Sequence, residues 1–149
     1  MACPFFMPTE RSLQGTWIHP SRLPLGAGWN GHCESPKNQG AELSTETVQD
    51  FCNMGYATAC PHLPGARPYD SVRFAVAHDG NPRIVLWYSC EREHLPAGHG
   101  KLEYDATLQT WISPHPDFRI QKMADCYLQS YLLRRIQPAS ADFNASPTT

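Results

Sequence analysis

The reading of the fold turns on Val72-Arg73-Phe74-Ala75-Val76-Ala77, then Asp79-Gly80-Asn81-Pro82, then Arg83-Ile84-Val85-Leu86-Trp87-Tyr88-Ser89-Cys90. Val72, Phe74 and Val76 alternate with Arg73, Ala75 and Ala77, which is the period of a strand with one buried face. The Asp-Gly-Asn-Pro segment carries turn chemistry, and the run after it is β-branched and aromatic, as a second strand requires. A ten-residue loop holding His94, Pro96, Gly98, His99 and Gly100 is expected next. Leu102 and Tyr104 then resume the alternation, with Trp111 a candidate extension. This predicts a small antiparallel meander of about three strands with one face left to cover.

Working outward, the cover is a helix from about Asp117 to Ile136, with Ile120, Met123, Ala124, Tyr127 and Tyr131 as its apolar stripe. Arg134 and Arg135 fall in its last turn, where positive charge complements the helix dipole. A shorter helix is predicted upstream. Ser44 or Thr45 caps it, Glu46 suits its first turn, and Val48, Phe51, Cys52 and Gly55 share one face. Cys52 then stands in the last turn before Gly55 ends the helix. Residues 1–40, rich in Pro, Gly and Trp, are expected to be a long irregular segment anchored by Trp17 and Trp29. The expected fold class is α+β. One cysteine-rich domain spans residues 1–136, with a flexible polar tail at 137–149.

A chain of 149 residues can bury about 70% of its unfolded surface, so size alone does not require a metal or disulfides. The charged fraction of 17% is low and the 14 prolines are many, which points to a loop-rich compact protein. A net charge of -2 without a basic stripe argues against nucleic-acid binding. No apolar run approaches the ~20 residues that cross a bilayer, and the start Met-Ala-Cys-Pro-Phe-Phe-Met-Pro lacks the basic and apolar regions of a secretory signal. The expectation is a cytoplasmic protein with no membrane partner.

In a reducing compartment, six cysteines point to metal binding or catalysis before disulfides. They are Cys3, Cys33, Cys52, Cys60, Cys90 and Cys126, and two precede proline, in Cys3-Pro4 and Cys60-Pro61. Cys52 at a helix end and Cys60 on the stiff loop after it are the leading pair of ligands. Cys3, pinned by Phe5 and Phe6, and Cys126, off the centre of the last helix's stripe, complete the set. The expected site is therefore Cys3, Cys52, Cys60 and Cys126, with Cys33 in reserve. Cys90 follows Ile84, Leu86 and Tyr88 at period two and reads as a core residue.

Structural zinc modules usually show tight C-x2–4-C pairs, and this chain has none. Widely separated cysteines and Cys-Pro dipeptides, which recur in bacterial ferredoxins, favour an iron–sulfur cluster, 4Fe–4S in particular. The expected function is electron transfer or redox sensing, with a redox partner protein or larger complex. The alternative is a zinc-stabilised binding or assembly module without catalysis, for which His62 or His32 could complete a Cys/His set. A disulfide-stabilised exported protein is a third reading. A Cys90 nucleophile with His94 or His99 as base lacks any visible oxyanion hole or orienting residue. No reaction is legible.

Overall fold

The hairpin forms the first two strands, the edge strand and its neighbour, of a four-stranded sheet in the computed structural model, which describes residues 2–12, 23–38, 43–54 and 60–136. Two strands pair first: β1 (Phe6–Arg11) and β2 (Trp29–Cys33). The helix α1 (Thr45–Thr47) follows and runs directly into a π-helical turn over Val48–Cys52. The main sheet is β3 (Ser71–Asp79), β4 (Arg83–Arg92), β5 (Leu95–Asp105) and β6 (Thr110–Ser113), antiparallel in chain order. The helix α2 (Phe118–Ile136) closes the described chain. The architecture is α+β with two antiparallel sheets. The expected polar tail at 137–149, Trp17 and Gly55 lie outside the described residues.

Alternation sets the faces. Val72 lies opposite Cys90, Phe74 opposite Tyr88, and Leu86 between Val76 and Leu102. Val72, Phe74, Ile84, Leu86, Cys90 and Leu102 are buried, while Arg73, Trp87 and Lys101 face solvent. Removing a Leu or Ile side chain from water is worth about 1.5–3 kcal/mol, so this face supplies much of the drive to fold. Ile120, Met123, Ala124 and Leu128 of α2 join the same cluster, and Tyr127 stacks obliquely on Phe74 at 5.8 Å. The helix is tied down at three points along its length. Trp111 Nε1 donates to Asp125, while Ser130 Oγ and Arg134 Nη1 donate to the carbonyls of Leu25 and Gly26. Gly26 has φ of 77°, and a Cβ there would meet Ser130 Cβ at 2.6 Å, so this docking demands glycine.

Three expectations change. The ten-residue loop is mostly strand: β5 begins at Leu95, and the connection shrinks to Glu93 and His94, with φ of 52° and 63°. Both central residues of a tight hairpin turn need positive φ, which matches the right-handed twist of the flanking strands. Pro96, Gly98 and Gly100 hid that strand because they carry no strand propensity. The meander therefore has four strands, with Trp111 on the fourth, packed edge-on to Tyr104 at 5.2 Å.

The N-terminal segment is not wholly irregular either. Phe6 pairs with Cys33 and Arg11 with Trp29, across a bulge between Pro8 and Glu10. Trp29 and Cys33 are buried while Asn30 and His32 are not. That period of two was masked by Gly31, where a Cβ would strike the Met7 carbonyl at 2.1 Å. Finally, the upstream helix is only one short α turn, begun by Ser44 Oγ accepting from the Thr47 N–H at 3.1 Å. It widens into a π turn in which Asn53 N–H reaches the Val48 carbonyl, five residues back, at 3.2 Å.

Candidate metal centre

Four segments bring four thiols to one cavity. Ala2 exchanges two backbone hydrogen bonds with Val72, at 2.6 and 2.8 Å, which fixes the N-terminal segment on β3. Cys3 N–H then donates to the Cys52 carbonyl at 3.2 Å. The chain turns at once through Cys3-Pro4-Phe5-Phe6, closed by Phe6 N–H to the Cys3 carbonyl at 3.1 Å. Proline in the second position presets φ for such a turn. The Cys3 sulfur accepts from the amides of Phe5 and Phe6, as an Asx side chain would in a similar turn.

Cys60-Pro61-His62-Leu63 repeats this device, with Leu63 N–H on the Cys60 carbonyl at 3.2 Å. A third proline turn, Ser35-Pro36-Lys37-Asn38, is closed at 3.0 Å and follows Cys33 at the end of β2. The Cys33 sulfur accepts from Ser35 N–H at 3.4 Å and from the Asn38 side chain. Ser35, buried itself, donates its hydroxyl to the His62 carbonyl, tying the third turn to the second. Cys52 closes the π turn, and its neighbour Asn53 fixes that turn to β2.

The cavity between these segments is about 10 Å³ and is lined by Cys3, Cys33, Cys52 and Cys60, with Phe5, Phe6, Phe51, Leu43 and Leu63 as its apolar wall. Ser35, Thr47 and His62 also reach it. Cys3, Cys33 and Cys52 are buried, and Cys60 is partly buried at the rim. Burial pushes the Cys3 thiol up to about 11, against the pull of the two amide hydrogen bonds. Burial also raises Cys33 and, most of all, Cys52. Charge on any one of the four thiols is felt by another, because every pairing among them is within electrostatic reach. Thiols so desolvated stay protonated at neutral pH unless a cation takes the proton's place.

Positive charge stands nearby. Arg119 of α2 lies 5.0 Å over the Phe5 ring and 3.7 Å from Glu34, and it favours the thiolate form of Cys33. Amide donors aimed at sulfur and a guanidinium lower the cost of holding anionic thiolates, against the apolar wall, which raises it. The Cys60 segment has its own clamp. Asp70 accepts from Arg67 Nε and from Glu93 N–H, both at 2.6 Å, and fixes the end of the loop to the β4–β5 turn.

Of the four thiols chosen from sequence, Cys3, Cys52 and Cys60 meet here, and Cys33 stands where Cys126 was expected. Cys126 is fully buried in α2, and its surroundings are Lys122, Asp125 and Arg11; burial pushes it up to about 12. Cys90 sits on the buried face of β4, opposite Val72 and Gly98, and burial followed by the Asp117 charge pushes it up to about 11. His99 pairs with Ser89, the neighbour of Cys90, so it lies on the other face of the sheet and packs at a tilt against Trp87. His32 is exposed and paired with Glu34.

Sequence reasoning passed over Ser35, Asn38 and Asn53. Ser35-Pro36 was a visible turn signal, but nothing local marks the Asn53 side chain as a bridge to β2. Among the described residues, no three His, Cys, Asp or Glu side chains are gathered tightly enough to hold a single ion, and no helix is long and apolar enough to cross a membrane. The chain matches no protein-family model, no curated protein and no solved structure.

Proposed function

We propose that this protein binds an iron–sulfur cluster through Cys3, Cys33, Cys52 and Cys60 and serves in electron transfer or redox sensing. The observation that carries the reading is the convergence of these four thiols, from segments far apart in sequence, on one apolar cavity. A packing role would not require four cysteines at one point, two of them on matching Cys-Pro turns with a third proline turn beside them. Four thiols lining one cavity suit a cluster, in which each thiolate takes its own iron. Amide hydrogen bonds to Cys3 and Cys33 and the Arg119 charge would tune its potential. Electrons would pass at the Cys60 rim, where a redox partner protein can approach.

A second reading is a zinc-stabilised module, favoured by the small size of the cavity, about 10 Å³. Zinc needs only four donors around one ion. Anaerobic purification followed by a visible spectrum and iron, sulfide and zinc analysis separates the two. A brown protein with iron and sulfide supports the cluster. A colourless one with stoichiometric zinc supports the module, and a metal-free protein with six titratable thiols removes both.

A further inference from the structure

Cys60 is not the only residue of its turn whose side chain can ligate a metal. His62, at the third position of Cys60-Pro61-His62-Leu63, lines the same cavity. We propose that His62 is an alternative donor at the position of Cys60, so that the site can be held by three cysteines and one histidine. The inference rests on the metal-thiolate reading above and adds a ligand exchange to it.

Three observations point to this turn. First, Cys3, Cys33 and Cys52 are buried and held by backbone bonds, Cys3 to Cys52 beside the Ala2–Val72 bridge, Cys33 at the end of β2 and Cys52 in the π turn. Cys60 is partly buried and sits on a solvent-facing loop, with exposed Pro61 between it and His62. Secondly, the loop is tethered to the cavity wall at His62, through its carbonyl and the buried Ser35 hydroxyl. The His62 backbone is therefore held beside the site, one residue from the solvent-facing Pro61. Thirdly, imidazole is a competent donor to both iron and zinc. In the exchange, the imidazole lone pair replaces that of the Cys60 thiolate, and the departing sulfur takes a proton from solvent. No electron is transferred. The site loses one negative charge, and replacing thiolate by imidazole raises the potential of an iron–sulfur centre.

The test is anaerobic reconstitution with iron and sulfide of the wild type, Cys60→Ala, His62→Ala, Cys60→Ala/His62→Ala and Cys33→Ala. Iron content and nitrogen hyperfine coupling in the reduced state are the readouts. The expected result is a Cys60→Ala chain with near-wild-type iron that gains histidine nitrogen coupling absent from the wild type. The double variant should fall to the level of Cys33→Ala. Cys60→Ala losing iron as fully as Cys33→Ala overturns the proposal, as does iron retained in the double variant. If the double variant fails to fold by circular dichroism, the coupling in Cys60→Ala decides alone: present it supports, absent it refutes. A wild type that takes up no iron at all instead removes the cluster reading beneath it.

Discussion

The side-chain amide of Asn53 pairs with both backbone groups of Trp29: its Oδ1 accepts from the Trp29 N–H and its Nδ2 donates to the Trp29 carbonyl, each at 3.0 Å. The same Nδ2 reaches the Val48 carbonyl at 2.9 Å. Asn53 thus acts as a one-residue strand partner to β2 and a brace for the π turn at once. Through it, the segment that presents Cys52 is fixed to the strand that ends in Cys33.

Asn53→Ala leaves two buried backbone groups unpaired, the N–H and the carbonyl of Trp29, while the Val48 carbonyl keeps the backbone N–H of residue 53. Each orphaned group costs on the order of 1–3 kcal/mol, softened by water entry, so a net destabilisation of about 2 kcal/mol is expected. Urea unfolding should show a lower midpoint with an unchanged slope, and metal content should drop. A variant as stable as the wild type would mean the amide bridge is dispensable.

Cysteine substitutions should divide into two groups. Cys33→Ala and Cys52→Ala are expected to abolish metal binding. Cys90→Ala and Cys126→Ala should keep the metal and cost about 1–2 kcal/mol as small core truncations. Metal analysis of the purified variants checks this. Loss of metal in Cys126→Ala with retention in Cys33→Ala would reinstate the ligand set expected from sequence.

Chelation of the metal should open the site, because site formation and folding of its segments are coupled. Alkylation followed by peptide mapping is expected to label Cys3, Cys33, Cys52 and Cys60 faster in the stripped protein. Cys90 and Cys126, buried elsewhere in the core, should keep their protection in both forms. Uniform labelling of all six would indicate global unfolding.

Acid stability should depend on Asp70. The amide of Glu93 and the Arg67 guanidinium hold its carboxyl below the usual carboxylate range, against the opposing effect of burial. A depressed folded pKa gives stability that is complete above the unfolded value of about 3.9 and is lost as pH falls through the folded value. Asp70→Asn should therefore lower stability at neutral pH and flatten the acid limb. Denaturation midpoints measured from neutral to strongly acidic pH decide it, and parallel curves for the two proteins would exclude Asp70 as a contributor.

The sequence by itself determined what local pattern can determine. Strict alternation through Val72–Val76 and Ile84–Leu86 specified a strand pair with one buried face, and the stripe from Ile120 to Tyr127 specified the covering helix. It also limited the candidate ligands to six thiols and set Cys90 in the core, because a period-two position opposite polar neighbours has one place to go. Tertiary structure alone decided which thiols meet. Cys126 and Cys33 have similar local credentials, and what separates them is the Ala2–Val72 bridge, the Phe6–Cys33 register and the Asn53 brace. Each of these joins residues more than twenty positions apart. Such contacts form because buried backbone groups must find partners wherever the packed chain offers them, and no window of sequence records that choice.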